Sequence, residues 1–297
     1  MYDRFAFGQD GHFFCKKEGE NLNQNWIVEN LNTAFSTWNG KLGELWGLVT
    51  TGPQTFKGGA VWSVMQTLHN GMVGIGYALV VLFFAISLCK NTMNFHELKR
   101  PEAAIHYFLR FVAAKALVGY GMDIMLNVFS ICNGIVTDMA DSMGGISEAM
   151  VSLPAEMQTA IENVGFLASI PLWLVTILGS LFITVLSFVM ILTVYGRFFR
   201  LYMYTALAPL PLAAFAGEST QSVGISFLKS YVGVCLEGAV IVLACVIYSA
   251  FVSTPTVASG EATTIVWSYL AETVFNMLVL VGLIKGSDRI IHEMMGL

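Results

Sequence analysis

Residues 71–89 read GMVGIGYALVVLFFAISLC, nineteen consecutive positions without a charge. A helix needs roughly 20 apolar residues to cross a hydrocarbon core of about 30 Å, so this stretch predicts a transmembrane helix. The composition of the whole chain agrees. Of 297 residues, 56% are hydrophobic and only 12% charged, and the mean hydropathy is +0.67. Ordinary soluble domains carry about 25% charged residues. So few charges cannot cover a water-facing globule, which excludes a soluble enzyme, a nucleic-acid-binding domain and a disordered tail. The fold class that follows is an all-α membrane protein.

Working outward, a second span is expected near 103–132, although Arg110, Lys115 and Asp123 interrupt it. Residues 164–196 are uncharged over thirty-three positions. At 1.5 Å per residue that is about 50 Å of helix, longer than one upright crossing. A tight hairpin would need a polar turn, and only Gly179-Ser180 offers one, so a single tilted helix is expected. Residues 231–252 hold one charge, Glu237, and residues 263–284 hold one, Glu272; both are long enough to cross. Between them and the third span lies Leu201 to Gly217, LYMYTALAPLPLAAFAG. Pro209 and Pro211 interrupt it, because proline removes a donor and clashes with the preceding turn. It reads as a re-entrant or interfacial segment rather than a sixth span.

Basic residues set the orientation. The loop 90–102 holds Lys90, Lys99 and Arg100, the GRFFR stretch holds Arg197 and Arg200, and the C-terminal tail holds Lys285 and Arg289. The loop 133–163 holds Asp138, Asp141, Glu148, Glu156 and Glu162 without a Lys or Arg, and 253–263 holds only Glu261. Positive-inside bias then places the basic segments, including a cytoplasmic GRFFR turn, inside and the basic-free loops outside. The pattern closes with five spans, the N-terminus outside and the C-terminus in the cytoplasm. Two regions result, an extracytoplasmic segment over 1–70 and a polytopic membrane domain over 71–297. Met1 to Glu20 has no apolar core, so any export of the N-terminus is expected to be driven by the first span.

Within the first region the apolar positions Ile27, Leu31, Ala34, Trp38, Leu42, Leu45 and Val49 recur every three or four residues, the signature of an amphipathic helix. Trp26, Trp38 and Trp46 suit interfacial anchoring, where one ring edge stays wet. Packing against the chain's own spans or a neighbouring subunit is the equal alternative. Thr51-Gly52-Pro53 ends the helix, and 58–68 offers a second short one.

Asp123, Glu237 and Glu272 lie in apolar stretches, where an ionised group is costly unless paired or wet. They are candidates for lining a water-filled passage; the alternative is intramembrane pairing with basic groups at helix ends. Glu237 lies eight residues from Lys229, about 12 Å along a helix. The five cysteines contain no CxxC pair and read as small hydrophobes in membrane helices. No Walker, GxSxG or HExxH motif is present, and the five histidines show no ligand spacing. No catalytic residue, metal or cofactor is expected, and the chain reads as a non-enzyme.

The stretch VYGRFFRLYMYTALAPLPLAAFAG, Val194 to Gly217, followed by SFLKSYVGVCLEGAVIVLACVIYSAF, Ser226 to Phe251, resembles the TrbL-type polytopic subunit of type IV secretion machines. The likeness covers roughly residues 70–290. It implies a bacterial plasma-membrane component of a conjugation apparatus, an oligomeric platform or channel that contacts transferred single-stranded DNA. It also implies work beside the machine's ATPases and its stalk or wall-side subunits. Under the resemblance Arg197 and Arg200 become candidates for cytoplasmic contact with an ATPase or DNA; the alternative is that they only fix topology. A stand-alone solute or ion transporter is the competing function, and a membrane-embedded enzyme lacks a cluster to support it.

Overall fold

The structure is a computed structural model and describes residues 18–92, 101–142, 150–162, 166–251 and 262–296. Lys99 and Arg100, Glu148 of the acidic loop, and most of 253–263 including Glu261 lie outside the described residues. The described chain is helical, in the order α1 (Glu18–Thr50), α2 (Ala60–Thr92), α3 (Pro101–Gly119), α4 (Gly121–Ser142), α5 (Ala155–Glu162), α6 (Phe166–Leu207), α7 (Pro209–Ala213), α8 (Gln221–Phe251) and α9 (Ala262–Met295). Four helices are long and apolar enough to cross a membrane, over Phe56–Lys90, Ile170–Leu207, Gln221–Ala250 and Thr264–Met295. A fifth crossing is made if the pair α3 and α4 is one broken span.

Three boundaries differ from the sequence expectation. The first span does not begin a new helix at Gly71: the expected short helix over 58–68 runs straight into it as one α2. Its start is fixed by Gly58 and Gly59, whose φ of 72° and 77° only glycine adopts without cost. The second expected span is not one rod. It bends by 73° at Tyr120, between Gly119 and Gly121. A Cβ at 119 would come to 2.7 Å from the Tyr77 hydroxyl of α2, so a larger residue there would have to displace that side chain. Third, GRFFR is not a turn. The helix α6 continues through it to Leu207, because no proline lies between Pro171 and Pro209 and the single Gly196 costs only about 1 kcal/mol in a helix interior.

At Pro209 the break falls where proline chemistry puts it. Residue 209 has no N–H to give the carbonyl four residues back, that of Thr205. His69 of α2 takes that carbonyl with its Nδ1 at 2.7 Å and is itself buried. Gly76 lets α2 touch the Pro209 carbonyl, where a Cβ would come to 2.9 Å.

Two apolar cores form. One joins α1, α5, α9, the body of α6 and the C-terminal half of α8 through Trp38, Met157, Met190, Tyr248 and Met277. The other joins α2, α3, α4, α7 and the N-terminal half of α8 through Val80, Val118, Met125, Leu212 and Tyr231. Helix α8 therefore belongs to both. The apolar stripe of α1, Ile27 to Val49, is buried along its length. It lies beside α6 and runs the same way: Trp26 meets Trp173 at 5.9 Å, Asn30 donates to the Ser180 hydroxyl at 3.2 Å, and the Tyr195 hydroxyl donates to Glu44 at 2.9 Å. Burial of each such side chain is worth about 1.5–3 kcal/mol relative to exposure, so α1 is part of the fold rather than an appendage.

Candidate functional site

A charged cluster forms where α6, α8 and α9 meet the end of α1. Arg197 and Arg200 are three residues apart and so share a face of α6. On α8, Glu237 is 1% exposed, and both its oxygens accept from Arg200 Nη2 at 2.7 Å. The other guanidinium nitrogen of Arg200, Nη1, donates to Asp288 of α9. Ser287, next to it on α9, donates to Glu237 Oε1 at 3.2 Å. A single Arg200 nitrogen thus serves both oxygens of Glu237, and a hydrogen bond between two charged groups is roughly twice as strong as a neutral one.

Arg197 is fully buried, at 0% exposure. Its three donors reach backbone carbonyls: Nε to Val234 at 3.2 Å, Nη2 to Cys235 at 3.1 Å and Nη1 to Val49 at 3.3 Å. Val49 is in the last turn of α1, whose carbonyls have no partner within the helix. Arg197 thus caps α1 and ties it to α8. The guanidinium lies against Gly238, where a Cβ would come within 2.7–2.8 Å of three of its atoms. Two cations, Arg197 and Arg200, face two anions, Glu237 and Asp288, so the cluster is neutral as a unit. Such a unit holds helices in register; among the described residues no group of three metal-ligating side chains occurs.

The sequence candidates separate accordingly. Glu237 pairs with Arg200, 37 residues away, not with Lys229. Asp123 is exposed in the first turn of α4 and lines an open cleft of about 540 Å³ with Gln54, Asn127, Ser130 and Asn133. Glu272 is half-buried on α9. The structure does not gather this acidic trio into one passage. Of the tryptophans, Trp38 is wholly buried, Trp46 half-buried and Trp26 42% exposed. Pro209 and Pro211 sit at the α6–α7 break.

Arg197, expected to face a cytoplasmic partner, is inside the protein, and Arg200 spends its donors on two carboxylates. The level of this stretch also differs from the expectation. Phe56, just before α2, stacks on Phe198 at 4.0 Å, and Trp62 lies 6.5 Å from Tyr202. The start of α2 and GRFFR, assigned to opposite sides of the bilayer by charge counting, stand side by side. A guanidinium neutralised by internal carboxylates carries little positive-inside information. Sequence reading also passed over His69, Gly238, Ser287 and Asp288. The partners of the last three lie 41 to 88 residues away in the chain, so no local pattern marks them.

Outside the spans, Lys41 and Glu44 of α1 pair at 2.6 Å. The hydrogen bond from Lys41, with a second from Tyr195, holds the Glu44 carboxyl below the usual carboxylate range, and the same pairing raises Lys41.

In comparison with known proteins, residues 38–209 match the family described as TrbL/VirB6 plasmid conjugal transfer like protein. That match runs from the middle of α1 to the break at Pro209 and covers more than half of the chain. No curated protein matches the chain, and no solved structure does.

Proposed function

The chain belongs to the TrbL/VirB6 plasmid conjugal transfer-like family, and we propose from that premise that it is an oligomeric platform or channel subunit in the bacterial plasma membrane, helping single-stranded DNA or protein cross as part of a type IV secretion machine. The family match over 38–209 is the observation that carries this reading.

The physical features support it. One side of α6 presents Trp173, Leu174, Leu181, Phe182, Phe188 and Leu192, each 42–67% exposed, a surface suited to lipid or to another protein. The charged groups of the α6–α8–α9 junction are spent on holding helices together, as a scaffold requires. The sequence contains no Walker motif, so energy would come from separate ATPase subunits, with stalk or wall-side proteins completing the machine. In this reading the protein is not an enzyme, and the transferred strand is a transient partner.

The test is an in-frame deletion complemented in trans and scored for conjugative transfer frequency. Loss of transfer at normal growth, restored by the intact gene, is the expected result. Unchanged transfer would overturn the reading and redirect attention to solute flux in liposomes.

A further inference from the structure

Helix α1 stands level with a membrane-crossing helix without being one. Its contacts with α6 run in step: Trp26 meets Trp173, Glu44 meets Tyr195, and the Val49 carbonyl meets Arg197. All three α6 residues lie in the stretch Ile170–Leu207 that is long and apolar enough to cross a bilayer. At this level α6 exposes Leu174, Leu181 and Phe188, each 56–58%, and α9 exposes Trp267 and Phe275 to the same degree.

The outer side of α1 is of the opposite kind. Its apolar stripe is buried inward, and the exposed positions between 27 and 50 are Glu29, Asn32, Thr33 and Ser36, followed by Gly40, Gly43 and Gly47. Spaced by three or four residues, they share one side of the helix. Two open clefts of about 590 and 490 Å³ lie along it, and Asn32 and Ser36 line both. Among the described residues no atom comes within 4 Å of a Cβ built at any of the three glycines. Charged and amide side chains at bilayer depth do not face hydrocarbon, which offers no substitute for their lost hydration; they face protein or a water-filled cavity.

The polar surface continues past the end of α1. Asn133 of α4 donates to the Thr50 carbonyl at 3.2 Å, and the exposed Ser130, Asn127 and Asp123 carry the surface on along α4 beside Gln54. From Glu29 to Thr50 alone the helix rises about 32 Å, enough to match a hydrocarbon core of about 30 Å. The exposed charges on this surface, Glu29 and Asp123, are both acidic. A second copy of the same face would therefore offer them no cation in a two-fold contact, whereas water solvates them.

We propose that the outer side of α1, continued by the exposed side of α4, is the water-facing wall of a passage at bilayer depth, with α6 and α9 between it and lipid. This wall rests on the membrane-channel reading above and names the surface on which the passage is built. Of the acidic residues in apolar stretches, Asp123 belongs to it.

The experiment measures how fast single cysteines react in membrane fragments open to both sides and containing the full chain. Cys15 and Cys89 are replaced by serine, and the buried Cys132, Cys235 and Cys245 stay in place. Into that background go Asn32→Cys, Ser36→Cys and Ser130→Cys on the wall, and Leu181→Cys and Phe188→Cys on the lipid side. Each is treated with a permanently charged methanethiosulfonate, with the rate in the background subtracted. Only the thiolate reacts, and removal from water raises a thiol pKa by two units or more, so wall positions should react about a hundredfold or more faster than the two on α6. Membrane abundance is read alongside, and Thr33→Cys stands in for an α1 variant that does not accumulate. Wall positions as slow as Leu181→Cys would overturn the proposal, and a disulfide between copies at Ser36→Cys would then identify a second copy as the cover. Equally fast reaction at every position would overturn it too, because α6 would then not be in lipid at that level. The readout is labelling and not transfer, so the wall can fail while deletion still abolishes conjugation, and the reverse.

Discussion

Replacing Gly238 with alanine is the sharpest test of the Arg197 strut, because helix propensity and packing predict opposite signs. In an exposed helix interior Gly→Ala stabilises by up to about 1 kcal/mol. At 238 the new Cβ would lie 2.7–2.8 Å from the Arg197 guanidinium, closer than real contacts allow. The guanidinium is the far end of a flexible side chain and would ordinarily swing away. Here it is fully buried and fixed by three carbonyls, those of Val49, Val234 and Cys235. Moving it weakens hydrogen bonds worth about 1.5–3 kcal/mol each when one partner is charged, while overpacking itself costs about 1–3 kcal/mol. With one such bond lost and the propensity gain subtracted, Gly238→Ala should cost about 1.5–5 kcal/mol. Gly282→Ala and Gly286→Ala on α9, where an added Cβ meets nothing within 4 Å, should be neutral or slightly stabilising. The assay is thermal unfolding of the purified protein in mild detergent, followed by loss of the monodisperse species. A Gly238→Ala protein as stable as the parent, or as stable as the α9 controls, would refute the strut.

Other outcomes follow from the same contacts. Glu237→Gln removes a buried anion that faces two guanidiniums and should destabilise by about 3–5 kcal/mol, measured by the same unfolding assay. Asp288→Asn should cost less, because its carboxylate is 43% exposed and water replaces the lost partner. Glu44 has a folded-state pKa below its usual value near 4.5, so its contribution is complete above that pH and fades as pH falls through the lowered value. The gap in unfolding temperature between the parent and Glu44→Gln should therefore be constant near neutrality and close in acid. A gap that widened on acidification would contradict the pairing. His69→Ala strips the Thr205 carbonyl of the donor that replaces the missing Pro209 N–H; a loss of about 1–3 kcal/mol is expected.

What the sequence made legible was local. The uncharged runs at 71–89 and 164–196 marked membrane helices because hydropathy needs no knowledge of partners, and Pro209 marked a break because proline acts on its own turn. The three- and four-residue spacing from Ile27 to Val49 revealed the face of α1 that is buried, but nothing in that spacing names α6 as the surface covering it. The bend at Tyr120 was missed because Gly119 and Gly121 are ordinary in membrane helices; only the approach of Tyr77 and Leu212 makes them necessary. Arg197 and Arg200 were read as exposed because isolated basic residues near span ends usually are. Arg197 is instead buried against the carbonyls of Val49, Val234 and Cys235, and Arg200 is half-buried on Glu237 and Asp288, which the chain delivers from 37 and 88 residues further on.

The central claim is that Arg200 serves the internal cluster of a conjugation subunit rather than touching DNA or an ATPase. A double-mutant cycle measures this directly, with conjugative transfer frequency and membrane abundance read together for Arg200→Met, Glu237→Gln and the combination. Arg200→Met leaves the buried Glu237 without its ion-pair partner and Glu237→Gln leaves Arg200 with Asp288 alone, whereas the double change removes one cation and one anion together. The account predicts that both singles lower abundance and transfer and that the double variant recovers most of each. A double variant present at parental abundance yet as defective in transfer as Arg200→Met would contradict it, placing the guanidinium on a partner instead.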